Sequence, residues 1–314
     1  MQIIYYGAPG TGKSFEIDEY LKEMHIPETQ IFRTTFHPEY SYSDFVGQLL
    51  PTVSKTSSGR EDIIYSFSKG IFTRAIEKAY LDTSKEVFLI LEEMSRGNCA
   101  AIFGDIFQLL DREKTGVNKG YSRYFICNEL IAKDIIAIPD DKVKLPPNLS
   151  IIGTVNTSDQ NVFTMDTAFK RRFEWKYIST KPVPAGGPYE NSVDIEIYTV
   201  TGRELVNWID LYGVLNKFIS DERWLDLGED KQLGQFFVEF DATATPKEHK
   251  EKIKNKLLHY LWEDVHKISF KNGVKLFSTS VHSYSELYEK FENDETIFSE
   301  TFFECIQSWK KNTL

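Results

Sequence analysis

Residues 7–14 read Gly7-Ala8-Pro9-Gly10-Thr11-Gly12-Lys13-Ser14. They lie between an apolar run, Ile3-Ile4-Tyr5-Tyr6, and a segment of helical spacing, residues 15–21. No other stretch of the chain restricts its fold so tightly. A glycine-rich turn that leaves a strand and opens a helix is a phosphate-binding loop. Its glycines let backbone N–H groups close around a polyphosphate, and the start of the helix adds its positive end. In that arrangement Lys13 reaches the β- and γ-phosphates and Ser14 holds Mg²⁺. A chain built this way is expected to bind a nucleoside triphosphate.

The rhythm around the loop sets the fold class. Residues 1–178 alternate strand and helix patterns, which predicts an α/β domain with a parallel sheet between crossover helices. Residues 31–36 read as a second strand and residues 70–80 as a helix. Residues 87–91, Val-Phe-Leu-Ile-Leu, form an uninterrupted apolar run, as expected of a strand buried on both faces. Residues 100–111 read as an amphipathic helix, residues 149–155 as another buried strand, and residues 173–178 as the last. Two stretches, 51–69 and 115–147, break the rhythm and are expected to be inserted hairpins. Residues 179–202 carry Pro182, Pro184, Gly186, Gly187 and Pro188, a linker composition. From residue 203 to 314 the patterns are mainly helical. Ile253, Leu257, Leu258, Leu261 and Trp262 make one stripe, so a separate helical lid domain is expected there.

Composition excludes several classes. The 314 residues are enough for two units with cores of their own. No apolar run approaches a membrane span, and the first apolar residues run straight into the loop rather than forming a signal peptide. Cys99, Cys127 and Cys305 are far apart, which suits a reducing cytoplasm and forms no zinc knuckle. His259 and His266 can share a helix face, but no cysteine or carboxylate cluster accompanies them. A net charge of −10 and the lack of a basic run argue against sequence-specific DNA reading by this chain alone.

Binding a triphosphate does not by itself hydrolyse it. The buried run 87–91 leads directly into Glu92-Glu93. A carboxylate at such a strand end holds the Mg²⁺ shell, and a second can polarise the attacking water. Glu92 is assigned to the metal and Glu93 to the water. Two solvated acids would be the plainer reading, but the loop upstream and the buried strand favour chemistry.

With these residues in place the chain resembles the McrB-like branch of AAA+ NTPases. Residues 88–98, Phe-Leu-Ile-Leu-Glu-Glu-Met-Ser-Arg-Gly-Asn, are similar to its Walker B region. Residues 35–47, 153–159 and 166–173 are similar to its aromatic segment, its Asn-Thr-Ala-Asp signature and its arginine-finger region. Residues 232–237, Gln-Leu-Gly-Gln-Phe-Phe, echo a lid motif. The resemblance implies the sensor 1 role for Asn156, whose neutral amide can hydrogen-bond the γ-phosphate and the water together. It implies that Arg171 or Arg172, on a helix, stabilises the phosphoryl charge in a neighbouring subunit. It also implies a cytoplasmic homo-hexamer hydrolysing GTP or ATP with Mg²⁺, GTP slightly favoured. An McrC-like nuclease partner in a restriction or anti-phage complex would then meet DNA through the assembly. The chain departs from the family at Glu92, where aspartate is usual, at Ser95, where asparagine is, and at Gln160, where arginine is common. It also starts at the first strand, without the amino-terminal DNA-reading domain of the best-known member, so either a motor-only subunit or a domain lying outside this sequence is expected. A MoxR-type chaperone ATPase and a nucleotide-switched scaffold with little turnover are the alternatives.

Overall fold

The computed structural model describes residues 1–313 except 56–60, 134, 136–137, 158–162, 185–188, 200–201, 242 and 270–272. The chain forms two compact units. One comprises Met1–Tyr6 and Ser14–Tyr177, the other Gly7–Lys13 and Ile178–Leu314. The strands are β1 (Gln2–Gly7), β2 (Ile31–Thr35), β3 (Gly47–Lys55), β4 (Glu61–Lys69), β5 (Val87–Glu92), β6 (Ile126–Cys127), β7 (Lys142–Val143), β8 (Leu149–Asn156), β9 (Glu174–Tyr177), β10 (Asp194–Thr199) and β11 (Gly202–Asn207). The α-helices are α1 (Lys13–Glu23), α2 (Tyr42–Phe45), α3 (Ile71–Leu81), α4 (Cys99–Phe103), α5 (Glu129–Ala132), α6 (Thr167–Lys170), α7 (Trp208–Ser220), α8 (Pro246–Lys252), α9 (Tyr284–Glu292) and α10 (Glu300–Thr313).

The first unit is an α/β layer structure around a five-stranded sheet of order β2-β5-β8-β1-β9. Strands β2 and β5, β5 and β8, and β1 and β9 pair in parallel. Parallel neighbours need crossovers, and these put helices on the sheet. Successive strand residues face opposite layers, so a strand covered on both sides is apolar throughout. In β5, Leu89 and Leu91 enter a core built with Phe72, Phe103 and Phe169. Phe88, on the other face, meets Tyr20 of α1 edge-on, ring centres 6.2 Å apart. Phe45 packs on Phe72 and Phe103 at 5.4 and 5.1 Å, and Phe103 on Phe169 at 5.2 Å. These rings tie α2, α3, α4 and α6 together behind the strand ends.

Three expectations for this unit change. The helix expected at 100–111 stops at Phe103, and a tighter 3₁₀ turn, Gly104–Leu110, follows. Gly104 has φ 49°, and a methyl group there would lie 2.9 Å from the Tyr42 ring. The break therefore admits Tyr42, whose hydroxyl donates to Asp105 at 2.9 Å. The insertion at 51–69 begins earlier, because β3 starts at Gly47 and pairs with β4 from Gly47↔Lys69 to Lys55↔Glu61. Among the described residues, the strands within 115–147 pair at Ile126↔Val143 and Cys127↔Lys142, a two-residue ladder. Its Ile131, Ile135, Ile138 and Leu145 are drawn into the core instead.

The second unit is organised on α7, whose Trp208, Tyr212, Leu215 and Phe218 are buried. Helix α8 continues into wider π-helical turns over Ile253–Leu258 and Leu261–His266. The stripe expected there, Ile253 to Trp262, is buried. The unit also holds a hairpin, with β10 and β11 antiparallel from Asp194↔Asn207 to Thr199↔Gly202. Strand β10 falls in the span read as linker. Ile195 and Ile197 alternate into the core, a pattern that the neighbouring prolines and glycines masked. Among the described residues no helix is long and apolar enough to cross a membrane.

A half-buried arginine fastens the start of the sheet. Arg112 Nε donates to Gln2 Oε1 at 2.7 Å, Nη1 to the carbonyls of Gly120 and Pro146, and Nη2 to that of Leu149, each at 2.8 Å. Desolvation pushes its guanidinium down to about 10, still charged at neutral pH. Arg112→Met keeps much of the volume but strands these acceptors. It should lower the urea midpoint and cost roughly 2–4 kcal/mol. An unchanged midpoint would show that this staple carries no stability.

Candidate nucleotide site

The loop Gly7–Gly12 joins β1 to α1. Gly10 and Gly12 have φ 75° and 87°, a region that side chains resist, so the tight turn needs glycine there. Thr11 Oγ1 donates to the Ala8 carbonyl at 3.0 Å. Lys13 is 7% exposed, and its Nζ donates to the carbonyls of Gly7 at 3.2 Å and Ala8 at 2.9 Å. The ammonium thus lies within the turn of the loop, held by backbone oxygens. Pro9 completes the loop, and its carbonyl accepts from Gly234 N–H at 2.9 Å.

In the sheet unit, the carboxyl ends of β5 and β8 and the first turn of α1 bring four of the expected residues into two pairs. Glu92 closes β5. Its Oε2 accepts from Ser14 Oγ at 3.1 Å and from Thr154 Oγ1 at 2.5 Å, and its Oε1 from Arg33 Nη1 at 3.3 Å. Arg33 also pairs with Asp18 of α1. The hydroxyl of Ser14 and the carboxylate of Glu92 are hard oxygen donors. That set fits Mg²⁺, which takes one or two protein oxygens beside phosphate and keeps several waters.

Glu93 leaves the strand abruptly. Its φ of 55° and ψ of 42° are left-handed, which costs about 1 kcal/mol for a residue with a side chain. The conformation persists because both ends of the residue are tied. Its N–H donates to Thr154 Oγ1 at 3.0 Å. Its carboxylate accepts from Asn156 Nδ2 at 2.7 and 2.8 Å, and Arg96 Nε lies 3.6 Å away. The second pair is therefore Glu93 with Asn156, across adjacent strands.

Thr154 was not singled out in the sequence, although its signal was there. It is a polar residue inside an apolar strand run, two positions before Asn156 and so on the same face. One hydroxyl serves both acids, donating to Glu92 and accepting from Glu93. Arg33 and Asp18 were also missed, since isolated charges on a strand and a helix carry no pattern. Ser95 is 4% exposed, and its hydroxyl has no hydrogen-bond partner among the described residues. Gln160 lies outside the described residues.

The two arginines part company. They sit just beyond α6 rather than on a helix, and Asp166 Oδ1 caps that helix by accepting from Phe169 N–H at 2.6 Å. Arg172 is committed to its own unit. Its side chain is 9% exposed, bonded to Asp111 at 2.7 Å and to the Ala168 carbonyl at 2.9 Å, with its guanidinium 4.0 Å above the Phe107 ring. Arg171 is exposed, without a side-chain partner among the described residues, and borders a cleft shared with Lys114 and Arg123. Neither arginine is a partner of Glu92, Glu93 or Asn156.

Residues 2–173 match the AAA domain of the dynein-related subfamily. The chain is 34% identical over 320 residues to the Type II restriction enzyme BsuMI component YdiS of Bacillus subtilis (strain 168), covering 94% of this chain and 87% of that protein. It is 28% identical over 175 residues to the Type IV methyl-directed restriction enzyme EcoKMcrB subunit of Escherichia coli (strain K12), covering 55% of this chain and 34% of that protein.

The double role of Thr154 gives a test. Thr154→Val keeps the shape and removes both hydrogen bonds, leaving the Glu93 N–H without its acceptor. Triphosphate turnover should fall roughly tenfold or more, with Thr154→Ser restoring most of it. Stability should drop by about 1–2 kcal/mol. Full turnover in a folded Thr154→Val protein would remove Thr154 from the site.

Proposed function

The chain belongs to the dynein-related subfamily of AAA domains, as an McrB-like AAA+ NTPase, and on that premise we propose that it is the Mg²⁺-dependent motor subunit of a restriction complex. The observation that carries the reading is the sorting of two adjacent acids onto different partners: Glu92 onto Ser14, Glu93 onto Asn156. A phosphate loop followed by such a division suits hydrolysis, in which one carboxylate serves the metal and the other the water.

In this proposal Lys13 and the loop N–H groups of residues 7–14 hold the phosphates, and Ser14 and Glu92 hold Mg²⁺. The metal, when bound, neutralises charge on the β- and γ-phosphates. Glu93 is the general base, and Asn156 orients the water and senses the γ-phosphate. Arg171 acts on a neighbouring subunit's nucleotide, because of the two arginines it is the one whose guanidinium has no partner among the described residues. Arg172 instead braces the strand that follows. GTP is favoured slightly over ATP, on the relation to the McrB subunit. A homo-hexamer and an McrC-like nuclease partner complete the proposal, and DNA is reached through that complex. The net charge of −10 suits a motor that leaves DNA contact to others. A second reading, a switch with slow turnover, is favoured by one observation. Asn156 and Arg96 already engage the Glu93 carboxylate, so it must be released before it can act as a base.

Steady-state hydrolysis with Mg²⁺ and either GTP or ATP tests the reading, and two inactive variants test the shared site. Arg171→Ala and Glu93→Gln should each lose at least about a hundredfold in turnover. Mixed together, they should regain part of it in a concentration-dependent way. Arg172→Ala should instead lower thermal stability. No recovery in mixtures shown to co-assemble would exclude an arginine acting between subunits. No turnover of either nucleotide by the unmodified protein, with or without its nuclease partner, would favour the switch.

A further inference from the structure

Within the second unit the phosphate loop meets the segment 233–237, Leu-Gly-Gln-Phe-Phe, at backbone-to-backbone distance. Gly234 N–H donates to the Pro9 carbonyl at 2.9 Å, and Phe236 N–H to the Gly10 carbonyl at 2.8 Å. A methyl group on Gly234 would lie 2.2 Å from the Gly10 carbonyl carbon, its oxygen and Thr11 N. A methyl group on Gly10 would lie 2.3 Å from Phe237 N. Two facing glycines therefore allow the approach, and neither position admits a side chain.

The segment itself is firmly held. Buried Asn216 of α7 clamps Leu233 from both sides: its Oδ1 accepts from Leu233 N–H, and its Nδ2 donates to the Leu233 carbonyl, both at 2.7 Å. The Gln235 carbonyl accepts from Trp208 Nε1 at 2.8 Å and from Asn191 Nδ2 at 2.7 Å. Gln235 Oε1 accepts from Val183 N–H at 2.6 Å.

This anchoring fixes peptide planes. In a trans peptide the carbonyl and the following N–H point in opposite directions. Bonding the Pro9 carbonyl to Gly234 therefore aims Gly10 N–H away from the segment. Bonding the Gly10 carbonyl to Phe236 does the same for Thr11 N–H. Those are N–H groups of the loop that closes on phosphates. We propose that Gly234 is a positioning residue for triphosphate binding: the segment 233–237, clamped by Asn216, holds the phosphate loop in its receptive form before the ligand arrives. The proposal rests on the nucleotide reading of the loop. Preorganisation of this kind strengthens ground-state and transition-state binding alike, so its loss raises KM and spares kcat.

The test uses the full chain, with fluorescent mant-GTP and mant-ATP as binding probes and steady-state kinetics beside them. Gly234→Ala should weaken both probes roughly tenfold or more, and equally, because the loop reads phosphate rather than base. KM should rise to match, with kcat within about threefold of the parent. Asn216→Leu, which loosens the clamp without touching the loop, should shift KM in the same direction by a smaller factor; it decides the matter if Gly234→Ala does not fold. Unchanged affinity in a folded variant, or a fall in kcat at constant KM, would overturn the proposal. If the unmodified protein bound neither probe, the nucleotide reading itself would fall and this proposal with it.

Discussion

The candidate site depends on one hydroxyl. Thr154 Oγ1 donates to the Glu92 carboxylate and accepts from the Glu93 N–H, so it joins the ends of β5 and β8 at the point where the chain turns out of the sheet. Neighbouring residues on a strand would normally face opposite layers. The left-handed turn at Glu93 departs from that alternation, and the bond to Thr154 helps hold it. Glu92 remains with Ser14 and Arg33, and Glu93 reaches Asn156. Two acids adjacent in sequence thereby acquire different surroundings, which is what different chemical tasks require.

That arrangement requires a rigid platform. The parallel pairing of β2, β5 and β8 is covered on one face by the ring cluster Phe45, Phe72, Phe103 and Phe169 and on the other by α1. Arg112 fastens the opposite ends of the strands by hydrogen bonds to the first residues of β1 and β8. Phosphate chemistry relies on positioning more than on covalent steps. A sheet buried on both faces is stiff enough to carry it, and the glycine contact at Gly234 extends the same logic to the loop.

Much of this was legible in the sequence. The loop octet, the apolar runs of β5 and β8 and the paired acids all follow patterns of fixed spacing. Ser14, Glu92, Glu93 and Asn156 could be named because each ends or follows such a pattern. What escaped depends on tertiary contact. The helix break at Gly104 exists to admit Tyr42, from a segment distant in sequence. The hairpin at Ile195 and Ile197 was hidden by nearby prolines and glycines. Thr154 and Arg33 owe their place to strand register, and Arg171 and Arg172 were indistinguishable until packing committed Arg172 to Asp111 and Phe107.

The central claim is that Glu92 and Glu93 divide the labour of metal binding and chemistry. It is tested most directly by titrating Mn²⁺, followed by electron paramagnetic resonance, into the protein saturated with a non-hydrolysable triphosphate. Glu92→Gln should weaken Mn²⁺ binding roughly tenfold or more. Glu93→Gln should leave it within about threefold while abolishing turnover of the natural triphosphate. Equal weakening by both substitutions, or weakening by Glu93→Gln alone, would contradict the division.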